Sequence, residues 1–164
     1  MFERSISVLD EALSVSNNPK IYYQLGNVYF KKGLNYYKGY YERYRYLNNE
    51  KANAGKQTWE YYQRALDEYR NYLSKNPSDY SVYYDIGLVY YNCSKLEPDV
   101  NNLPINSKNK NQYKTWGPKF FKVDMINRAT DNMKVFYSRS GNTEKRRLAG
   151  NMIKEMELSK INKW

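Results

Sequence analysis

The sequence predicts an all-α fold of antiparallel helical hairpins, with about six helices and one hairpin lengthened. Three observations predict this fold: apolar residues recur every three or four positions, a glycine-centred segment occurs twice, and strand signals are weak. The chain has 164 residues, a length that suits one core or a short repeat array. We therefore expect a single helical domain over 1–164.

Two helices are expected in the first third of the chain. The spacing of Ile6, Leu9 and Leu13 predicts a short first helix. The Asn-Pro pair at 18–19 suits a helix start, and the stripe that follows predicts a second helix over about 19–48. The stripe comprises Tyr22, Leu25, Tyr29, Gly33, Tyr36, Tyr40, Tyr44 and Leu47.

The remaining elements follow from breaks in the same periodicity. The polar stretch 48–56 is expected to interrupt the helix, and the next stripe predicts an antiparallel helix over about 55–75. Asn76-Pro77 ends that helix, and a further helix begins at Ser78 or Asp79. The Asn-, Pro- and Lys-rich segment 97–118 is expected to be a loop, followed by a basic helical hairpin over 119–164.

An internal repeat is the most specific feature of the sequence. The segment YYQLGNVYF at 22–30 recurs as YYDIGLVYY at 83–91. Gly26 and Gly87 hold the same place in the two copies. A small residue there allows a second helix to approach closely, while bulky neighbours fill the space around it.

This repeat resembles the tetratricopeptide repeat family, whose first helix has an aromatic residue, Leu-Gly and Tyr at the spacing seen in YYQLGNVYF. The small, aromatic, large and Pro positions of the family's second helix match Ala65, Tyr69, Tyr72 and Pro77. Ala129, Met133 and Phe136 resemble a second copy. Both copies depart from the family in carrying a long insertion between their two helices.

The resemblance implies a protein-interaction adaptor or scaffold that binds a partner polypeptide in the groove lined by first helices. The groove positions are mostly aromatic, which favours an apolar partner segment anchored by tyrosine rings. The alternative is that Tyr23 and Tyr84 simply fill space between helices. The groove positions implied by the resemblance are Tyr23, Asn27, Phe30, Lys31, Tyr84, Leu88 and Tyr91.

Tyrosines also occupy both faces of the expected helical extension after residue 35. One face should pack on the returning helix, and the other should leave rings exposed next to arginines, as interaction surfaces often do. The alternatives are a solvated polar face and self-association through the tyrosines. The exposed aromatic face is expected to comprise Tyr37, Tyr41, Arg43 and Arg45.

The net charge of +10 lies almost entirely in the last third, where residues 101–164 carry 14 basic and 5 acidic side chains. This asymmetry makes a nucleic-acid-binding or anionic-lipid-contacting module the alternative function, using residues 108–122 and the C-terminal helices. In that segment lysines alternate with aromatic residues that could stack on bases. Its candidate residues are Lys108, Lys110, Tyr113, Lys114, Trp116, Lys119 and Lys122.

Catalysis is not expected. The chain has no His, which excludes imidazole bases and ligands, and its one Cys excludes multi-cysteine zinc sites and intrachain disulfides. No phosphate-binding glycine loop or nucleophile elbow is present. Cys93 is expected to be a small packed residue, and we expect no metal or cofactor.

No apolar run is long enough to span a membrane, and the first residues lack the pattern of a secretory signal. We therefore expect a cytoplasmic protein, or the soluble part of an envelope-associated protein if Met1 begins a fragment. The excess of Tyr, Asn and Lys is typical of an AT-rich genome and indicates a bacterial source.

Overall fold

The computed structural model describes residues 1–41, 43, 48–96 and 107–161, and within these ranges it is all helical, with no strand. Side chains are described at 1–39, 43, 53–96 and 120–160. The elements are α1 (Phe2–Val15), α2 (Lys20–Tyr36), a π-helical segment (Tyr37–Tyr41), α3 (Asn48–Lys75), α4 (Ser81–Cys93), α5 (Ser107–Arg139) and α6 (Thr143–Ile161). The predicted all-α class with six helices is therefore confirmed for the described chain.

The described residues group into two compact units, whereas the sequence predicted one domain. Unit 1 contains residues 1–77, with α1, α2 and α3. Unit 2 contains residues 78–96 and 107–161, with α4, α5 and α6. Each unit contains one of the two glycine-centred hairpins, α2 with α3 in unit 1 and α4 with α5 in unit 2.

In unit 1, α2 and α3 form an antiparallel hairpin around two glycines. A Cβ added to Gly26 would come within 2.6 Å of the ring of Tyr69, and one added to Gly33 would come equally close to Tyr62. Both rings are buried, so α2 and α3 approach as closely as they do only because these positions lack a side chain. The first hairpin predicted from the repeat is confirmed.

In unit 2, α4 and α5 repeat the arrangement. A Cβ added to Gly87 would meet Cγ of Met133 at 2.7 Å and the carbonyl oxygen of Ala129 at 3.2 Å. Helix α6 returns antiparallel along α5, where the buried hydroxyl of Thr130 donates to the carbonyl of Ile126. The side chain of Met156 on α6 lies next to that hydroxyl.

The lengthened first hairpin differs from the expected one in both arms. Helix α2 ends at Tyr36 and continues as the π-helical segment to Tyr41, so the regular α-helix is shorter than expected, and residues 44–47 lie outside the described residues. Helix α3 begins at Asn48, so the expected break at 48–56 is wrong. The stretch contains Ala, Glu and Lys, which favour helix, beside the Asn and Gly residues that led to the prediction of a break. On its inner side Ala54 is buried, and Thr58 donates to the carbonyl of Ala54.

The expected loop at 97–118 also differs from the structure. Helix α5 begins at Ser107, so the backbone of 107–118 is helical, while residues 97–106 lie outside the described residues. Asn and Lys made this segment read as a loop, but between Pro104 and Pro118 no proline interrupts the backbone hydrogen bonds. The expected hairpin over 119–164 is present as the second part of α5 and α6.

Candidate functional site

The candidate site begins with α1, an amphipathic helix with no fully buried residue. It lies antiparallel on α2, and its apolar side packs there incompletely. Val8 remains 57% exposed in the middle of the helix. Within the described part of unit 1, the side chain of Val8 is therefore only partly covered.

A groove of about 820 Å³ opens between α1 and α2. On the α2 side its residues lie at positions i, i+3 and i+4, on one face of the helix. The next position on that face is Lys31, whose side chain is exposed. We call this feature the α1–α2 groove; its lining residues are Met1, Arg4, Ser5, Val8, Leu9, Gln24, Asn27 and Val28.

Asn27 joins the groove to the core of unit 1. The hydroxyl of Tyr69 donates a hydrogen bond of 2.9 Å to Oδ1 of Asn27. This contact holds the amide side chain in one orientation and occupies one of the two acceptor positions of its oxygen. Among the described residues Nδ2 of Asn27 donates no hydrogen bond, so its two hydrogens are open to solvent or to a bound group.

A cation from α2 ties the start of α1 in place. Nζ of Lys32 lies 2.7 Å from a carboxylate oxygen of Glu3 and 4.5 Å from the centre of the Tyr61 ring. The Lys32 side chain is only 15% exposed. Desolvation opposes its charge, but hydrogen bonds with Glu3 and Tyr61 outweigh that effect and raise the pKa of Lys32. The same hydrogen bond from Lys32 lowers the pKa of Glu3.

Within unit 1, the groove residues implied by the family resemblance divide into two groups. Asn27 lines the α1–α2 groove and Lys31 is exposed beside it. Tyr23 and Phe30 are half-buried and pack on the rings of α3. The ring centre of Tyr23 lies 5.8 Å from the ring centre of Tyr69 and 5.5 Å from that of Tyr72. The ring centre of Phe30 lies 5.8 Å from that of Tyr62.

The corresponding residues of unit 2 are all half-buried. The Tyr84 ring lies 5.2 Å from Phe136, and burial, followed by the charge of Asp85, raises the pKa of Tyr84. Tyr91 has the ammonium of Lys95 at 4.5 Å from its ring centre. Leu88 is half-buried on the same helix.

The predicted exposed aromatic face is only partly described. Tyr37 belongs to the π-helical segment and is half-buried, so it is less accessible than expected. Arg43 is exposed, as predicted. The side chain of Tyr41 and all of Arg45 lie outside the described residues.

The predicted basic and aromatic segment is described mainly through its backbone. Residues 107–122 belong to α5, and Lys122 is half-buried. The side chains outside the described set are those of Lys108, Lys110, Tyr113, Lys114, Trp116 and Lys119.

Two features were missed by the sequence analysis. One is the α1 wall of the groove, with Arg4 and Val8, although the amphipathic spacing of α1 was visible. The other is a set of cations that lie over tyrosine rings near the turn between α5 and α6. Arg139 lies over Tyr80 at 5.7 Å, Lys145 over Tyr84 at 5.7 Å, and Arg146 over Tyr137 at 5.0 Å.

The described residues contain no group of three or more acidic or Cys side chains arranged to hold a metal ion. Cys93 is fully buried, which confirms its expected packing role, and burial raises the pKa of its thiol. A buried thiol that stays protonated is a poor nucleophile. In the described part of the chain, no helix combines the length and apolar character that crossing a membrane requires.

Comparisons with known proteins give no relative: no family model, no curated protein and no solved structure matches this chain.

Proposed function

We propose that the chain is a non-enzymatic protein-interaction module of the tetratricopeptide-repeat type, which holds a segment of a partner polypeptide in the α1–α2 groove. The observation that carries the proposal is the equivalence of the two hairpins. Gly26 faces Tyr69 four residues after Ala65, and Gly87 faces Met133 four residues after Ala129.

The aromatic contacts repeat in the same register. Tyr23 packs on Tyr72, and Tyr84 packs on Phe136, at ring-centre distances of 5.5 and 5.2 Å. In a hairpin of this kind the two helices bury one face against each other, and their other faces are presented to neighbouring elements. A face of this kind that stays open offers a place where a helix or strand of another protein can dock.

The chemistry of the α1–α2 groove suits a polypeptide segment. Val8 and Val28 supply an apolar wall on each side, and Asn27 offers oriented donors to a main-chain carbonyl. Arg4 and Lys31 add positive charge along the edge, so a segment with apolar anchors and an acidic flank fits best.

Quantitative pull-down from lysate tests the proposal, with nuclease added to remove polyanion bridges. Val8→Lys places a charge in the groove, whereas Val15→Lys makes the same change on α1 at a more exposed site that does not line the groove. We expect Val8→Lys to lose a captured protein that Val15→Lys retains, with both variants equally helical by circular dichroism. Equal retention of the captured protein by both variants would contradict binding in the α1–α2 groove.

Nucleic-acid or lipid contact through residues 108–122 remains the competing proposal. It predicts that nuclease abolishes capture, or that binding to single strands falls steeply as salt rises. Self-association is the remaining alternative, and size-exclusion chromatography at two protein concentrations would reveal it. A captured protein that survives nuclease and is lost in Val8→Lys favours the adaptor over both.

A further inference from the structure

Basic side chains gather around the turn that joins α5 and α6. The stretch RSGNTEKRR at 139–147 holds four basic residues and one acidic residue. Three of the basic residues lie over tyrosine rings of unit 2, at the distances given above. We call Arg139, Lys145 and Arg146 the cation cluster.

The cation cluster is not neutralised by the described part of unit 2. Among the described residues of this unit, ion pairs join Lys134 to Glu157 and Arg128 to Asp124, and none joins a carboxylate to the cluster. Asp79, near the start of α4, accepts hydrogen bonds from the backbone N–H and hydroxyl of Ser81. The positive charge of the cluster therefore remains available to an external anion.

The rings restrict the three cations without neutralising them. A guanidinium or ammonium above an aromatic ring loses part of its conformational freedom, because the ring quadrupole attracts the charge. Less entropy then remains to be lost when an anion binds. The side chain of an ordinary surface lysine, in contrast, is free before binding and loses its conformational entropy when the ligand orders it.

The three tyrosine rings also pack against other residues of unit 2. This packing bears on which class of anion the cation cluster can bind. Tyr84 packs on Phe136, and Tyr80 lies 6.3 Å from Tyr83 in a stacked arrangement. Tyr137 lies against Gly150, where an added Cβ would come within 3.2 Å of its ring. Bases of a single strand need open ring faces for stacking, whereas Tyr80 and Tyr84 are half-buried and Tyr137 alone of the three is exposed. Carboxylates, in contrast, can bind to the three cations without stacking on the rings.

We propose that the cation cluster binds an acidic segment of a partner polypeptide. The inference rests on the proposed function and adds the chemistry of the partner. Carboxylates spaced along a flexible chain can engage Arg139, Lys145 and Arg146 by charge-assisted hydrogen bonds. The segment that enters the α1–α2 groove and the acidic segment are separate requirements on the partner.

Fluorescence anisotropy tests this with a labelled peptide of alternating Glu and Ser as the probe, and its Gln-Ser analogue as the neutral control. The triple variant R139Q/K145Q/R146Q should bind the acidic peptide about tenfold more weakly than the native chain at low salt. The triple variant K20Q/K38Q/K56Q removes the same charge from exposed positions of unit 1 and should change affinity less than about twofold. Equal losses in both variants would overturn the proposal, because net charge alone would then explain binding.

A second variant tests the role of the rings. Tyr137→Leu keeps every charge but removes the ring beneath Arg146, and Tyr137 is already 44% exposed. We expect a loss of about threefold in peptide affinity with an unchanged thermal midpoint. Native affinity in this variant would contradict preorganisation by the rings.

Parallel titrations with labelled oligothymidylate and with phosphatidylserine vesicles distinguish the other anions. Tighter binding of either one than of the acidic peptide would overturn the proposal. The result of the peptide titration can be distinguished from the result of the pull-down experiment on the α1–α2 groove. If a partner is captured through Val8 but the acidic peptide does not bind, this inference fails and the adaptor proposal stands. If the peptide binds but no protein is captured, the adaptor proposal fails.

Discussion

The hydroxyl of Tyr69 donates a 2.9 Å hydrogen bond to Oδ1 of Asn27, and the ring of the same tyrosine covers Gly26. One buried side chain on α3 therefore sets both the closeness of α2 and the orientation of a residue that lines the α1–α2 groove. Packing within the hairpin and the chemistry of the groove are coupled through this contact.

Tyr69→Phe keeps the ring on Gly26 and removes only the hydroxyl. We expect a loss of about 1 kcal/mol in the free energy of unfolding, since Oδ1 of Asn27 loses its donor in a half-buried position. Asn27→Leu is the partner variant, because Leu88 occupies the equivalent place in the second hairpin. Urea denaturation of both single variants and the double variant gives the coupling energy. A coupling near zero would show that the hydrogen bond does not form in solution.

Gly26→Ala should destabilise unit 1 by about 1–3 kcal/mol, because the new Cβ would lie 2.6 Å from a fully buried ring that cannot move away cheaply. Gly39→Ala is the matched control. Nothing lies within 4 Å of its Cβ position, and the residue is helical, so alanine should stabilise by up to about 1 kcal/mol. Thermal unfolding followed by circular dichroism measures both. Equal effects would show that α2 and α3 are not in close contact at Gly26.

The repeat could be predicted because a glycine facing a bulky residue is a local pattern on two helices. Gly26 and Gly87 occupy the same place in the repeated segment, and Tyr69 and Met133 each follow a small residue, Ala65 and Ala129, by four positions. The start of α3 could not be found by periodicity, since Asn48–Ala54 is polar in a helix as it would be in a loop. For the same reason, the polar first turns of α5 could not be distinguished from a loop in the sequence.

The candidate site was predicted only in part, for a different reason. Asn27 and Lys31 were placed on a binding face by the repeat pattern, and Asn27 does line a groove. Tyr23 and Phe30 fit that pattern equally well but pack on α3. Whether a half-apolar side chain contacts a neighbouring helix or a partner depends on where the neighbour lies, and sequence spacing alone does not contain that information.

The ion pair between Lys32 and Glu3 should make the attachment of α1 depend on pH. The folded pKa of Glu3 is lowered, so its contribution is complete above the unfolded pKa of about 4.3 and is lost as the pH falls through the folded value. The folded pKa of Lys32 is raised, so its contribution is complete below about 10.4 and is lost as the pH rises further.

Thermal midpoints of the native chain and Glu3→Gln check this dependence. The native chain should be more stable from about pH 5 to 9, and the difference should shrink toward zero below about pH 4. Glu11→Gln, exposed on the same helix, is the control and should show no such convergence. A constant difference between the native chain and Glu3→Gln down to low pH would contradict the pairing.

Cys93 offers a direct measure of how tightly unit 2 is closed. The thiol lies at the end of α4 with no exposed surface, and burial raises its pKa, so the reactive thiolate forms only when the helix opens. We expect Ellman's reagent to label the native chain at least about a thousandfold more slowly than the chain in urea. Val15→Cys in a Cys93→Ala background is the control, because Val15 is exposed on α1 and its thiol should react at once. Labelling of Cys93 at the rate of the control would mean that α4 separates readily from α5, and the contact between Gly87 and Met133 would then be only transient.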